Sequence, residues 1–587
     1  MSLKFSSLQL LIKQALNSAA VLLLVGTSAI SDEKKKAPTA VTDLSPFGIG
    51  SCYINNRSLK EYERCVPQMT EIGLREFRTP QTGWSRINND EEGVWEWPNL
   101  DQQLDYLEGK NFHYGVLLQG NPKWNTADPP GHLPVNNIEA WSDYVTTVAK
   151  HLNGRATWFE VWNEPPNFTG KDQTAADYAK IVVAAYDAAK SVDPDCYVGL
   201  AAKSAHISYV QQTISAGAKD HFDYITLHPY EILDGIASDA GSEAVFMNIV
   251  PVVRKMLRRH NPEKEDVPVI FTELGISSKK GLDVQAYGLI KAYTMSIAQG
   301  VECVHWFEGR DGDSGPLGLI DKSGELRPAY VALKSMIQHL GQHPEYIGWT
   351  LLNEKHYAFL FEGAESKVMI SWAAPGELDT VKFSEACRVI DPLSGVEGLN
   401  QSVVVSKAPL FVFDPPEELV EDARKNRDQP LNRGTDYSDA NEVSIEFGKT
   451  IIEKGLHTRS ASHLASAVVA YGGSARAGGI PGGNLFYVDP AFLSYDEVPI
   501  EISVEVRRNE DNANAGFKLI YESPDGFETA PGGWYTIPDN KKWHTKTWRI
   551  DDPQFVNYWG YNFSLESDGP KFGQYRIRNI TVRKLSE

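Results

Sequence analysis

From residue 46 onward the chain alternates short apolar runs with longer stretches whose apolar positions recur at helical spacing. The runs are FGIGS (47–51), LREFRT (74–79), YGVLLQ (114–119), TWFEVW (157–162), YVGLAA (197–202), YITLHP (224–229), VIFTEL (269–274) and CVHWFE (303–308). Runs rich in β-branched and aromatic residues, bounded by turn formers, read as buried strands, and a 3.6-residue apolar period reads as helix. AADYAKIVVAAYDAAKSV after the fourth run, AVFMNIVPVVRKMLRRH after the sixth and AYGLIKAYTMSIAQG after the seventh carry that helical period. Eight βα units over roughly 300 residues predict an α/β fold, a (β/α)8 barrel over residues 45–340.

After LRPAYVALKSMIQHLG, the expected eighth helix, the pattern changes to short alternating runs such as YAFLFEG and KVMISWAA. These predict an accessory β-sandwich over 341–415. A charged, Pro-containing stretch over 416–442 reads as a linker. Residues 443–587 return to strand pattern and are expected to form a jelly-roll-like β-sandwich. The aromatic-rich segment WYTIPDNKKWHTKTWRIDDPQFVNYWGY (534–561) could present a sugar-binding platform there, as in a carbohydrate-binding module, or fill the sandwich core. No ligand spacing marks a Ca²⁺ site among the acidic turns.

A chain of 587 residues is too long for one core, which agrees with this division. With 77 acidic against 57 basic residues its net charge is −20, which argues against nucleic acid or an anionic membrane as the main partner. Residues 1–31 carry Lys4 and Lys13, a short apolar run and then small residues, the pattern of a signal peptide. A secreted or periplasmic protein is therefore expected, with no membrane anchor after cleavage. Five cysteines are too few for a disulfide framework and lack metal-ligand spacing, and at most Cys52 and Cys65 are candidates to pair. Neither a cofactor nor a metal is expected.

In a (β/α)8 barrel the active site lies at the carboxyl ends of the strands. There the fourth run delivers Asn163 and Glu164, with Pro165 and Pro166 ending the strand, and the seventh delivers Glu273. The two carboxylates would face each other across the mouth, where one can protonate a glycosidic oxygen while the other attacks the anomeric carbon. Arg78, ending the second run, would hold Glu273 ionised, and ionised Glu273 would in turn raise the pKa of Glu164. His228 and Tyr230 could hydrogen-bond a carboxylate or a sugar hydroxyl, and Trp306 could stack on a sugar face. Each also has a plain structural reading: an ion pair for Arg78, a rim pair for His228 and Tyr230, and core packing for Trp306. Trp84, Trp95, Trp97 and Trp124 divide in the same way between subsite platforms and core.

FEVWNEPPNF and VIFTELG, with Arg78, LHPY and CVHWFE, resemble glycoside hydrolase clan A over residues 45–340. WEWPNLDQQLDYLEGKNFHYGVLLQGNPKW, AWSDYVTTVAKHLNGRATWFEVWNEP and GLIDKSGELRPAYVAL are similar to family 39 and its relatives. The resemblance implies a retaining β-glycosidase acting on a poly- or oligosaccharide. It casts Glu164 as acid/base, Glu273 as nucleophile, Asn163 as donor to the sugar 2-hydroxyl, Tyr230 as orienter of Glu273 and Trp306 as the floor of the −1 subsite. A non-catalytic carbohydrate-binding barrel and a transglycosylase using the same carboxylates are the alternatives. The sugar, the linkage, exo or endo action and the oligomeric state are not readable from the residues.

Overall fold

The computed structural model describes residues 44–52, 58–79, 81–156, 158–459, 473–480, 482–509 and 513–585, with the backbone alone of 468–470. The expected signal peptide lies outside the described residues.

Eight parallel strands close a barrel in chain order: β1 (Phe47–Ile49), β2 (Glu76–Thr79), β3 (His113–Leu118), β4 (Trp158–Val161), β5 (Tyr197–Lys203), β6 (Tyr224–His228), β7 (Val269–Leu274) and β8 (Cys303–Trp306). The ring is closed by β1 on β8, with Phe47 opposite Val304 and Ile49 opposite Trp306. Around it run α1 (Leu59–Glu71), α2 (Pro98–Glu108), α3 (Ile138–Leu152), α4 (Ala175–Val192), α5 (Ile207–Thr213), α6 (Ile249–His260), α7 (Leu282–Ala298) and α8 (Pro328–Leu340). Local sequence explains these elements. In α4, Thr174 and Asp177 form a capping box, and Tyr178, Ile181, Val182, Ala185 and Ala189 make one buried face.

Side chains alternate along a strand. On β4, Phe159 and Val161 join the core shared with the helices, while Trp158 and Glu160 turn into the barrel. The barrel floor is apolar, made of Trp158, Tyr224, Ile270 and Cys303, with Leu44 packed against them. Gly199 makes room for it, since a Cβ there would come within 2.4 Å of the Tyr224 ring. Above this floor the interior turns polar, with Arg78, Glu160, Thr226 and Thr272 all buried.

The segment expected as the accessory sandwich contains one six-stranded antiparallel sheet: β9 (Glu345–Leu352), β10 (His356–Glu362), β11 (Lys367–Trp372), β12 (Asp379–Ile390), β13 (Glu397–Val405) and β14 (Leu410–Phe413). One face, including Trp349, Phe359 and Trp372, is continuous with the barrel core. The other, including Leu360, Met369 and Val412, packs on Val420 and Ala423 of α9 (Glu417–Asn426). The stretch expected as a linker thus begins with a docked helix. Its apolar stripe is so narrow, set between charged residues, that composition concealed it.

Residues Glu442–Lys584 form a seven-stranded and a six-stranded antiparallel sheet over a common core that includes Ile502, Val504, Phe517, Phe563 and Trp548. This sandwich docks on the barrel. Tyr487 Oη donates to Gly241 O at 2.9 Å, Tyr495 Oη to Gln211 Oε1 at 2.6 Å, and Lys255 Nζ to Ser494 O at 2.9 Å. All five cysteines are free and buried, Cys52 and Cys65 included, and no helix among the described residues is long and apolar enough to cross a membrane.

The seating of α9 depends on Gly348, whose backbone meets that of Ala423 so closely that a Cβ would lie 1.8 Å from Ala423 O. We expect Gly348→Ala to destabilise the protein by about 1–3 kcal/mol through overpacking, read as a lower denaturation midpoint; an unchanged midpoint would show that α9 can shift freely.

Candidate active site

The chain reaches the mouth of the barrel at the end of β4 by an unusual route. Trp162 (φ 66°) and Glu164 (φ 50°) both adopt left-handed backbone, which non-glycine residues rarely do, on either side of Asn163. Surrounding bonds hold this turn. Trp162 N donates to Leu118 O at 2.7 Å, Trp162 Nε1 to Phe168 O at 3.0 Å, and Lys203 N at the end of β5 to Pro165 O at 3.0 Å. Glu164 is thereby lifted off the strand line and set at the mouth, its side chain 16% exposed.

Below it lies a buried charge network built on Arg78. Its Nε donates to Glu160 Oε2 at 2.5 Å and one terminal nitrogen to Glu273 Oε1 at 2.6 Å. The other terminal nitrogen donates to Asn163 Oδ1 at 2.8 Å and to Glu160 Oε1 at 3.2 Å. Burial works against the charge on Arg78, but Glu160 and Glu273 outweigh it and keep the guanidinium protonated. Because arginine only donates, the oxygen of Asn163 must face it, which leaves the Asn163 amide nitrogen to donate to a ligand. Tyr230 Oη donates to Glu273 Oε2 at 3.2 Å.

His228 joins the two carboxylates. Its Nδ1 lies 2.9 Å from Glu164 Oε1 and 3.8 Å from Glu273 Oε2, and its Nε2 lies 2.9 Å from Thr272 Oγ1. The Thr272 hydroxyl donates to Glu160 Oε1 at 3.0 Å, as does that of Thr226. Since Thr272 spends its hydrogen on Glu160, it accepts from His228, and Nε2 therefore carries a proton. The Nδ1–Glu164 contact then holds one further, shared proton. Burial favours the neutral imidazole, but Glu273 and Glu164 outweigh it and raise the His228 pKa above its usual 6.5. Burial likewise raises the pKa of Glu164, but the hydrogen bond and charge of His228, with Asn167 and Lys203, bring it below the usual carboxylate range. This corrects the expectation that Glu273 raises it. His228 is a partner that sequence spacing could not place beside Glu164.

A carboxylate oxygen of Glu164 and one of Glu273 lie within 4.8 Å of each other, with a nitrogen of His228 inside the same limit. Three such groups could reach a metal ion. Glu273, however, is already paired with the Arg78 cation, and a second cation there would meet its repulsion.

The structure brings Arg78, Asn163, Glu164, His228, Tyr230 and Glu273 together and leaves two expected residues out. Trp306 is fully buried and stacks on Tyr293 of α7, so it faces the helix layer rather than a sugar. Period-2 alternation places it with Val304 on the outer side of β8. Trp124 is half-buried at the rim of the second and third loops, with its Nε1 donating to Asn88 O and Oδ1, both at 3.0 Å, and its ring edge-on to Trp84. No described contact links it to the carboxylates. Trp84 is core, stacked on Tyr144, and Trp95 and Trp97 stack with His151 in the last turn of α3, on the helix layer. Sequence reading missed Glu160, Thr272 and Lys203. A lone acid inside the apolar run TWFEVW was the available signal for Glu160. It also passed over Phe168, four positions beyond Glu164 and 63% exposed.

A closed parallel barrel with carboxylates at the ends of its fourth and seventh strands is the architecture of a clan A glycoside hydrolase. Residues 29–302, just under half of the chain, match the family described as Glycosyl hydrolases family 39. The chain is a glycoside hydrolase whose barrel is similar to that family. Among solved structures it is similar to a family 39 glycoside hydrolase from the gut symbiont Bacteroides cellulosilyticus, at 18% identity, covering 64% of this chain and 82% of that one, with a TM-score of 0.53. An exo-beta-1,4-mannosidase from an Opitutaceae bacterium matches at 14% identity, with 53% and 62% coverage and a TM-score of 0.41. A GH30 endoxylanase from Clostridium papyrosolvens matches at 12% identity, with 64% and 97% coverage and a TM-score of 0.43. No curated protein sequence matches the chain.

Two outcomes follow from the network. Arg78→Met leaves Glu160 and Glu273 buried without their cation, and we expect a loss of about 3–5 kcal/mol in unfolding free energy, measured by denaturation. The second concerns pH. Since the folded pKa of His228 is raised, its ion pairs stabilise the protein fully below pH 6.5 and are lost as pH rises through the raised value. The alkaline limb of the kcat/KM profile should follow the same proton, and His228→Asn should move that limb to lower pH; an unmoved limb would assign the proton elsewhere.

Proposed function

We propose that the chain is a retaining β-glycosidase acting on a poly- or oligosaccharide by double displacement. The observation that carries this reading is the approach of the Glu164 and Glu273 carboxylates to within 4.8 Å. Retaining enzymes hold the two groups about 5–5.5 Å apart, whereas inverting enzymes separate them by about 6.5–9.5 Å to seat a water between.

In the first step an oxygen of Glu273 attacks the anomeric carbon as the bond to the leaving oxygen breaks, and that oxygen takes the proton shared by Glu164 and His228. Oε1 is tied to Arg78 at 2.6 Å, whereas Oε2 carries the longer 3.2 Å bond from Tyr230 and is the freer to attack. Arg78 holds the Glu273 carboxylate in place by a 2.6 Å hydrogen bond, and the amide nitrogen of Asn163 is placed to donate to a hydroxyl of the bound sugar. In the second step water gives a proton to Glu164, attacks the anomeric carbon and releases Glu273. The configuration is inverted twice and so retained. Secretion belongs to the same proposal and rests on the leader pattern of residues 1–31.

The test is release of reducing ends from a panel of neutral and anionic polysaccharides and aryl β-glycosides, with wild type run beside Glu273→Ala. We expect activity on one substrate class, a loss of at least about 10⁴-fold in the variant, and products of retained anomeric configuration by NMR. Inverted products, or turnover surviving in Glu273→Ala, would overturn the double-displacement reading.

A further inference from the structure

The C-terminal sandwich does not stand apart from the site. Its segment Gln554–Asn562 reaches the rim of the barrel beside β5. Ser204 Oγ donates to Tyr558 O at 2.6 Å, and the Tyr558 ring stacks on His206 with centroids 3.8 Å apart. The next residue, Trp559, lies over the end of β5, with Lys203 Nζ 4.3 Å from its ring centroid. Lys203 is within electrostatic reach of Glu164, and its backbone N–H fixes Pro165 of the Glu164 turn.

The segment is held by a device that its own strands do not require. Glu522, fully buried in the sandwich, accepts backbone N–H bonds from Val556 at 2.9 Å, Asn557 at 3.0 Å and Tyr558 at 2.7 Å. It also accepts the Asn562 amide at 3.0 Å. Asn557 is left-handed (φ 60°), and Gly560 packs so tightly that a Cβ would lie 2.9 Å from Glu231 O of the barrel. One buried carboxylate gripping three consecutive amides fixes the loop on both sides of the bend and so sets where Trp559 projects. Trp559 packs against the edge of the barrel core. It is half-buried, and an ammonium lies over its ring.

We propose that Trp559 of the C-terminal sandwich forms a stacking platform for the saccharide on the leaving-group side of the scissile bond, making the sandwich part of the substrate cleft. The side is decided by chemistry. Glu164 hands its proton to the leaving oxygen, so whatever is built on its flank meets the leaving sugar, while the sugar attacked by Glu273 lies toward β7. An indole can stack on the apolar face of a pyranose, here through the ring face that the Lys203 ammonium does not cover.

This inference rests on the glycosidase reading, and the experiment separates the two. Full-length wild type, Trp559→Ala and Trp559→Phe are compared on the saccharide identified by the panel and on the nitrophenyl glycoside of the same sugar, whose small leaving group does not need the platform. We expect Trp559→Ala to lower kcat/KM about 10- to 100-fold on the saccharide, mainly through KM, with Trp559→Phe recovering most of the loss. On the nitrophenyl glycoside all three should agree within about twofold. Equal losses on both substrates would mean that the ring acts only through the acid/base turn, and no loss on either would remove it from the cleft; both outcomes overturn the proposal. A titration of oligosaccharides into Glu273→Ala, with and without Trp559→Ala, reads binding without turnover. Weaker binding in the double variant supports the platform and equal binding refutes it, even if wild type proves inactive, which would count against the glycosidase reading alone.

Discussion

The site depends on one buried guanidinium. Arg78 comes from β2, yet it is shared by Glu160 and Asn163 at β4 and by Glu273 on β7, so it joins strands that are not neighbours in the ring. A charge so far from water is tolerable only because two carboxylates compensate it and four hydrogen bonds hold it, and each carboxylate would be as costly without the arginine. Glu160 is in turn held by Thr226 and Thr272. The result is a polar layer over an apolar floor, stiff because removing Arg78, Glu160 or Glu273 strands a charge. Rigidity of this kind would keep the attacking oxygen of the proposed mechanism on its line of approach.

The acid side is arranged differently. Glu164 sits on a turn of left-handed backbone and meets His228, which is bonded through Thr272 to the same Glu160 that anchors Arg78. The two sides therefore share a foundation but differ in charge. Glu273 is matched by a permanent cation, whereas Glu164 is matched by one that titrates. In the proposed mechanism the proton for the first step is held between two groups, and the proposed nucleophile pairs with a group that never gives its proton up.

The same division of labour extends outward. The six-stranded sheet covers the barrel through one apolar face and is backed on the other by α9, a structural role. The last sandwich meets the barrel through apolar packing and, in addition, through hydrogen bonds and aromatic stacking next to β5, the strand adjacent to the one that delivers Glu164. A clamp of the Glu522 kind is unnecessary for a tethered module that binds sugar on its own, and it makes sense where a loop must be aimed at a neighbour.

The barrel was legible because its signals are local: apolar runs of strand length, helical periodicity, and Asn163, Glu164 and Glu273 at strand ends, where the fold puts catalytic groups. The apolar-in, polar-out rule also exposed the sandwich, and Trp548 fell into its core as alternation in WHTKTWRI requires. What the sequence by itself could not decide was which groups meet. Trp306 went to the helix layer because one step along a strand reverses the side chain, and a strand end has no register of its own to mark. Glu160, a lone acid in an apolar run whose partners the sequence does not show, became the anchor of the site, and the pKa of Glu164 moved opposite to expectation because His228, 64 residues away, bonds to it. Trp559 lies 395 positions beyond Glu164 in the chain, and only the packing of one domain on another could bring it to the same rim. Secondary structure and its strand-end residues follow from short-range pattern, whereas charge pairing and domain docking depend on distances that the chain fixes only once it has closed.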